Sequence, residues 1–152
     1  LSLERKKIKM GNSIKLNFEL KNESKIPGDE VFQVYIKDID ASFRTPNSSL
    51  IFFKRMHLKS GEKRKISIII NEDMMAMVNK VGEKQIEPGD FKIYVGGSSP
   101  GQRSEELEKY LMEAVFTVEW NKKIVSIYCW KLFNKKEIVN SICDHNKTDK
   151  KT

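Results

Sequence analysis

The run Phe91-Lys92-Ile93-Tyr94-Val95 alternates apolar and polar side chains between two corners rich in small residues, Glu87-Pro88-Gly89-Asp90 before it and Gly96-Gly97-Ser98-Ser99 after it. Side chains of an extended chain point alternately to opposite faces, so this pattern specifies a strand with Phe91, Ile93 and Val95 in a core and Lys92 and Tyr94 turned away. Pro88 fixes φ at the first central position of the preceding corner, and Gly89 can take the positive φ of a type II turn. A tight turn is therefore expected to feed the strand, and Gly96 and Gly97 to end its pairing.

The same alternation recurs along the chain. Ile14, Leu16, Phe18 and Leu20 share one face of an extended run, with Lys15, Asn17 and Glu19 on the other. Phe32, Val34 and Ile36 oppose Val31, Gln33 and Tyr35, which makes this strand apolar on both sides and places it centrally in a sheet. After a long polar connection, Asp38 to Ser49, a third run covers Leu50 to Leu58, and Ser60-Gly61 turns it into Lys63 to Ile70. Asn71 is a good N-cap, with Glu72 and Asp73 suited to a helix N-terminus. One helical turn is expected there, with Met74, Met75 and Met77 covering the core. Val81 to Ile86 reads as a brief strand, Ser98 to Leu111 as a loop, and Met112 to Glu119 as the closing strand. About seven short strands without helices of 10 to 15 residues between them predict an all-β, antiparallel immunoglobulin-like sandwich with one short helical turn.

Five blocks in one order carry a family resemblance: Gly28-Asp29-Glu30-Val31-Phe32-Gln33-Val34-Tyr35-Ile36; Leu50 with Phe53-Lys54-Arg55; Leu58-Lys59-Ser60-Gly61-Glu62; Glu87-Pro88-Gly89-Asp90-Phe91; and Val95-Gly96-Gly97-Ser98-Ser99. From about Leu3 to Glu119 the chain resembles the fibronectin type III-like domain that closes many glycoside hydrolase family 3 enzymes, β-glucosidases and β-xylosidases among them. Phe52 departs from the glycine usual before Phe-Lys-Arg, and Met74, Met75 and Met77 depart from the usual aromatics.

The formal charge of +7 invites a nucleic-acid reading until it is located. Residues 1–26 hold seven Lys or Arg against three acids and residues 120–152 eight against three, whereas residues 27–119 hold 13 against 15. A nucleic-acid-binding fold concentrates positive charge on the surface that meets phosphates, so no nucleic-acid partner is expected of a slightly acidic body. No apolar run approaches the ~20 residues that span a bilayer. The sequence opens on Leu1 without a basic-then-apolar leader, so it is expected to be a piece of something longer or a processed product.

Residues 120–152 form a basic extension outside the resemblance. Ile124 to Phe133 is apolar and flanked by Lys122-Lys123 and Lys135-Lys136. An added strand on an open edge, an amphipathic element that binds a partner or a membrane surface, and an aberrant extension all remain open. The expectation is a peripheral element with order ending near Asn140. Cys129 and Cys143 are expected as free thiols, with a disulfide as the alternative in a secreted chain.

No catalytic residue, cofactor or metal ligand is assigned. Glycosidases hold two carboxylates across a sugar ring, but the acids here fall in turns (Asp29, Glu62, Asp90), a helix start (Glu72, Asp73) or a solvated loop (Glu105, Glu106, Glu108). The resemblance implies the same, because in family 3 the nucleophilic Asp lies in a (β/α)8 barrel and the acid/base usually in an α/β sandwich domain. The chain has neither domain, nor the family's Ser-Asp-Trp motif. His57 reads as a lone exposed histidine without an orienting partner. Cys129, Cys143 and His145 lack zinc-ligand spacing, and Gly96-Gly97-Ser98-Ser99 lacks the end of a phosphate loop.

Two functional classes remain. The resemblance implies a non-catalytic accessory domain packed on the catalytic domains of a family 3 glycosidase, in cis or in trans. Arg44, Pro46, Phe52 and Phe53 are the candidate contacts, against the plainer reading of each as ordinary loop or core. The alternative is a carbohydrate-binding module that holds a β-linked oligosaccharide on exposed aromatics such as Tyr35, Trp120 or Trp130.

Overall fold

The computed structural model describes residues 1–79, 81–102, 104 and 111–120. Leu1–Glu119 is one compact unit, and of the second, Trp120–Thr152, only Trp120 is among the described residues. The expectations for Ile124 to Phe133, Trp130, Cys129 and Cys143, and for most of the Ser98 to Leu111 loop, lie outside the described residues.

The elements in chain order are β1 (Ser2–Leu3), β2 (Lys7–Lys9), β3 (Ile14–Lys21), β4 (Gly28–Asp38), β5 (Ser49–Leu58), β6 (Lys63–Ile70), α1 (Glu72–Met75), β7 (Met77–Val78), β8 (Lys84–Gln85), β9 (Gly89–Gly96) and β10 (Met112–Glu119). One sheet runs β1-β3-β6 and the other β2-β10-β9-β4-β5, with β7-β8 a separate small ribbon. The expected sandwich is therefore present. All seven expected strands appear, that over Val81 to Ile86 reduced to the two residues of β8. Strand β4 lies between β9 and β5, the central place that its two apolar sides require.

Residues 1–13 hold two strands that the alternation does not reveal. β1 pairs antiparallel with β3, and β2 pairs in parallel with β10, so the opening segment contributes to both sheets. The crossing is fastened by Glu4 N–H donating to the Lys15 carbonyl and Thr117 N–H to that of Lys6, both at 2.9 Å. Strands of two and three residues are too short to show a period.

The inner faces bury the residues that the alternation selects: Ile14, Leu16 and Phe18 on β3, Ile68 and Ile70 on β6, Phe32, Val34 and Ile36 on β4, Phe91, Ile93 and Val95 on β9, and Phe116 and Val118 on β10. Phe18 meets Phe32 edge-on between the sheets, centroids 5.3 Å apart, and Phe91 stacks on Phe116 at 5.6 Å. Each such ring contact contributes about 0.5–1.5 kcal/mol beyond the area it buries. Asn71 caps α1 by accepting the Met74 N–H at 3.1 Å, and Met75 and Met77 close the core beside it. Met77 belongs to β7, one step past the helical turn expected to carry it.

The corner before β9 is not a type II turn. Gly89 has φ of 154° and is already paired with Val118, far from the ~80° that such a turn needs. Asp90 N–H donates to Asp40 Oδ2 at 2.7 Å, so a side chain from the neighbouring loop replaces the turn's own hydrogen bond.

Candidate interaction face

The outer faces of the two sheets differ in chemistry. On the three-stranded sheet, Lys15, Asn17, Glu19 and Lys21 of β3 lie opposite Ile69, Ser67, Lys65 and Lys63 of β6. Ser67 Oγ donates to Asn17 Oδ1 at 2.6 Å and Lys63 reaches Glu19 at 3.7 Å. This face is a solvated charge ladder, and Ile69 is its one exposed large apolar residue among the described positions.

The five-stranded sheet carries apolar groups on its outer side. In register across the strands, Glu113, Tyr94, Tyr35 and Leu50 form one row, with Gln33 beside Phe53 in the next and Val31 beside Arg55 beyond it. Val31, Leu50, Phe53 and Val115 are exposed, Phe53 most of all at 66%. Leu50 and Phe53 are three residues apart and would face opposite sides of a regular strand. A register shift in the β4-β5 pair leaves Ile51 without a partner, so that Ile51 and Phe52 both pack toward the core while Leu50 and Phe53 both turn outward.

Polar groups on this face are mostly engaged. The Tyr35 hydroxyl donates to Gln33 Oε1 at 2.5 Å. Lys92 Nζ pairs with Glu113 at 2.5 Å and sits 5.1 Å from the Tyr94 ring centroid. The hydrogen bond to Glu113 raises the Lys92 ammonium above its ordinary pKa.

At the edge, Asp29 holds a guanidinium and an imidazole. Arg55 Nε and Nη2 donate to its Oδ2 at 2.9 and 2.6 Å, and His57 Nδ1 lies 2.6 Å from Oδ1. His57 is thus not a histidine without a partner, and Asp29 lies in the first residues of β4, not in a turn. The two residues face each other across the β4-β5 ladder, twenty-eight positions apart. The His57 contact, then that of Arg55, holds the Asp29 carboxyl below its ordinary range. Both carboxylate oxygens are occupied, so the cluster clamps the open end of the hairpin.

Other acids stabilise corners. Asp38 accepts the Asp40 N–H at 3.1 Å, Glu87 accepts the Ser42 N–H and hydroxyl at 2.8 and 2.7 Å, and Asp90 accepts the Thr117 hydroxyl at 2.7 Å. Burial pushes the Asp38 carboxyl above its ordinary pKa. Among the described residues no group of three or more His, Cys, Asp or Glu is placed to hold a metal ion, and no helix is long and apolar enough to cross a membrane.

The candidate contact residues separate. Phe53 lies on the outer face, whereas its neighbour Phe52 points inward and stacks on Phe32 with centroids 5.9 Å apart. Arg44 and Pro46 are exposed on the loop of residues 39–48. Of the candidate sugar contacts, Tyr35 is half-buried on the outer face and Trp120 is exposed just past β10. Tyr94, Leu50, Val31 and Val115, which complete the face, were not singled out from the sequence.

Residues 30–99 match the family model described as a fibronectin type III-like domain. The chain carries a fibronectin type III-like domain. It is 29% identical over 100 residues to thermostable β-glucosidase B of Acetivibrio thermocellus and 36% identical over 97 residues to a β-xylosidase of Formosa agariphila, which takes in 65% and 64% of this chain. Among solved structures it superposes on a β-glucosidase from Listeria innocua in complex with gluconolactone, with TM-score 0.65 and 30% identity over 78% of this chain. These relatives are family 3 glycosidases. The chain spans 13% of the length of each of the two curated relatives and 15% of the Listeria innocua structure.

Proposed function

We propose that this fibronectin type III-like domain is a non-catalytic accessory domain of a family 3 glycosidase, β-glucosidase-like, which packs against the catalytic domains and supports their geometry. The observation that carries the reading is the pairing of a satisfied sandwich with relatives about five times its length, all of them glycosidases. Its acids support it: each of Asp29, Asp38, Glu87 and Asp90 already binds a backbone N–H, a hydroxyl or a cation. A retaining or inverting glycosidase needs two carboxylates facing a sugar across a cleft.

The test is hydrolysis of an aryl β-glucoside by the highly purified chain, beside thermal inactivation of the complete polypeptide encoded by its gene with and without residues 1–119. The expected outcome is no turnover by the chain and faster inactivation of the polypeptide that lacks the domain. Turnover by the chain, abolished by substitution of a single acid, would overturn the reading. The carbohydrate-binding alternative draws on Tyr35, on the exposed Trp120 and on Trp130, which lies outside the described residues, with Tyr94 beside Tyr35 in register on one face. Heat on titration with cello-oligosaccharides would favour it, although the Lys92 ammonium over the Tyr94 ring occupies one of the two tyrosine faces.

A further inference from the structure

We infer that the outer face of the five-stranded sheet, centred on Tyr35, Leu50 and Phe53, is the surface by which this domain docks on the catalytic part of its own polypeptide. The inference rests on the accessory reading and adds to it the place of contact and the kind of partner surface that fits.

Three observations converge. The first is asymmetry: the outer face of β3 and β6 is a charge ladder, whereas the outer face of β4, β5, β9 and β10 gathers Val31, Tyr35, Leu50, Phe53, Tyr94 and Val115. Contiguous apolar surface framed by polar groups marks an interaction site, whereas scattered single residues do not. The second is the bulge at Ile51, which rotates Leu50 to the same side as Phe53. A regular strand would leave the patch half its width. The third is charge: Lys92 is paired to Glu113 and Arg55 to Asp29, while Lys37, on the same face opposite Lys92, forms no ion pair among the described residues. The matching surface is therefore apolar with a carboxylate opposite Lys37.

Size chooses among occupants. Four strands ~4.8 Å apart, and about four residues of ~3.3 Å along each, give a patch of roughly 200 Å². A free-standing complex, including a dimer of this chain, needs about 800 Å² per partner. Contacts between domains of one chain start at about 300 Å² a side and are more polar, so the patch is the apolar centre of such a contact, and a covalent tether supplies effective concentrations in the millimolar range. A small apolar centre with a charged rim fits a tethered neighbour.

The test is hydroxyl-radical footprinting of the isolated chain and of the complete polypeptide encoded by its gene, with Phe53→Glu and Ile69→Lys variants of both. In the complete polypeptide, oxidation at Tyr35, Leu50 and Phe53 should fall roughly fivefold or more, as at the desolvated centre of an interface, and remain unchanged at Ile69. Phe53→Glu should restore oxidation at Tyr35 there without altering unfolding of the isolated chain, and Ile69→Lys should change neither. Protection that moves to Arg44 and Pro46 would sink this face and leave the accessory reading standing. The absence of protection anywhere in residues 1–119 would sink both. A gene that encodes this chain alone, or protection already present in a self-associated isolated chain, would overturn the tethered partner.

Discussion

A β-carbon built on Gly89 would stand 2.9 Å from Cβ of Asp40, and the same Asp40 accepts the N–H of Asp90 at 2.7 Å. The loop after β4 thus lies against the first residues of β9, and only a residue without a side chain fits between them. Gly89 also holds φ of 154°, a conformation that L side chains rarely adopt. Gly89→Ala should cost about 1–3 kcal/mol in urea unfolding. Asp40→Gly removes the clash but also the bond to the Asp90 N–H, so the double variant should lose less than the sum of the two single losses, with a coupling of about 0.5 kcal/mol or more. Strict additivity would show that the clash is not the cause.

Phe52 and Phe53 are adjacent and chemically identical, yet they face opposite sides of one sheet. Phe52 stacks on Phe32 and is packed against the core, whereas Phe53 is 66% exposed. Phe52→Ala should destabilise the isolated chain by about 2–3 kcal/mol, somewhat below a fully buried phenylalanine. Phe53→Ala should remain within about 0.5 kcal/mol of the parent. Equal losses in chemical denaturation would contradict this orientation of the strand.

That pair shows which structure the sequence discloses. The core faces of β3, β4, β9 and β10 could be read from alternation because each strand is regular and buries one side against a partner. The fold class followed from the number and spacing of those strands, and the family resemblance from blocks at their corners. The interaction face could not be read in this way. Leu50 and Phe53 share it only because Ile51 is accommodated by a bulge, and a bulge is fixed by the register of pairing with β4 across the loop of residues 39–48, which strand periodicity does not report. His57 looked solitary for the same reason, since Asp29 reaches it through strand register. The corner at Gly89 was misread because its hydrogen bond comes from Asp40, fifty positions earlier.

Asn22 ties the loop before β4 to the end of β5. Its amide donates to the carbonyls of Ile26 and Leu58 at 2.9 and 3.1 Å, and its Oδ1 accepts the N–H and hydroxyl of Ser24 at 2.9 and 2.7 Å. Asn22→Ala leaves four groups to find new partners and should cost about 1–3 kcal/mol. Asn22→Asp keeps both acceptor bonds but turns a carboxylate oxygen toward the Ile26 and Leu58 carbonyls, so a loss comparable to that of Asn22→Ala in urea unfolding is expected. An aspartate variant as stable as the parent would show that the two donated bonds contribute nothing.

Two carboxyls should shape the pH dependence with opposite signs. Asp29, held by His57 and Arg55, has a folded-state pKa below its ordinary 3.8. The stability that it contributes is present above that ordinary value and is lost as pH falls through the lower, folded one. Asp38 is buried, and its folded-state pKa is raised above 3.8. Its ionisation therefore opposes folding at neutral pH, and this group's contribution improves as pH falls through the raised value toward 3.8. In urea midpoints measured from pH 7 to pH 3, Asp38→Asn should remove a component that rises on acidification, and Asp29→Asn one that falls below 3.8. The slope is the readout for Asp38→Asn, because the new amide would face the Asp40 and Ala41 N–H groups that the carboxylate accepts. Identical pH profiles for the two variants would show that burial at Asp38 and the cation clamp at Asp29 do not govern the acid limb.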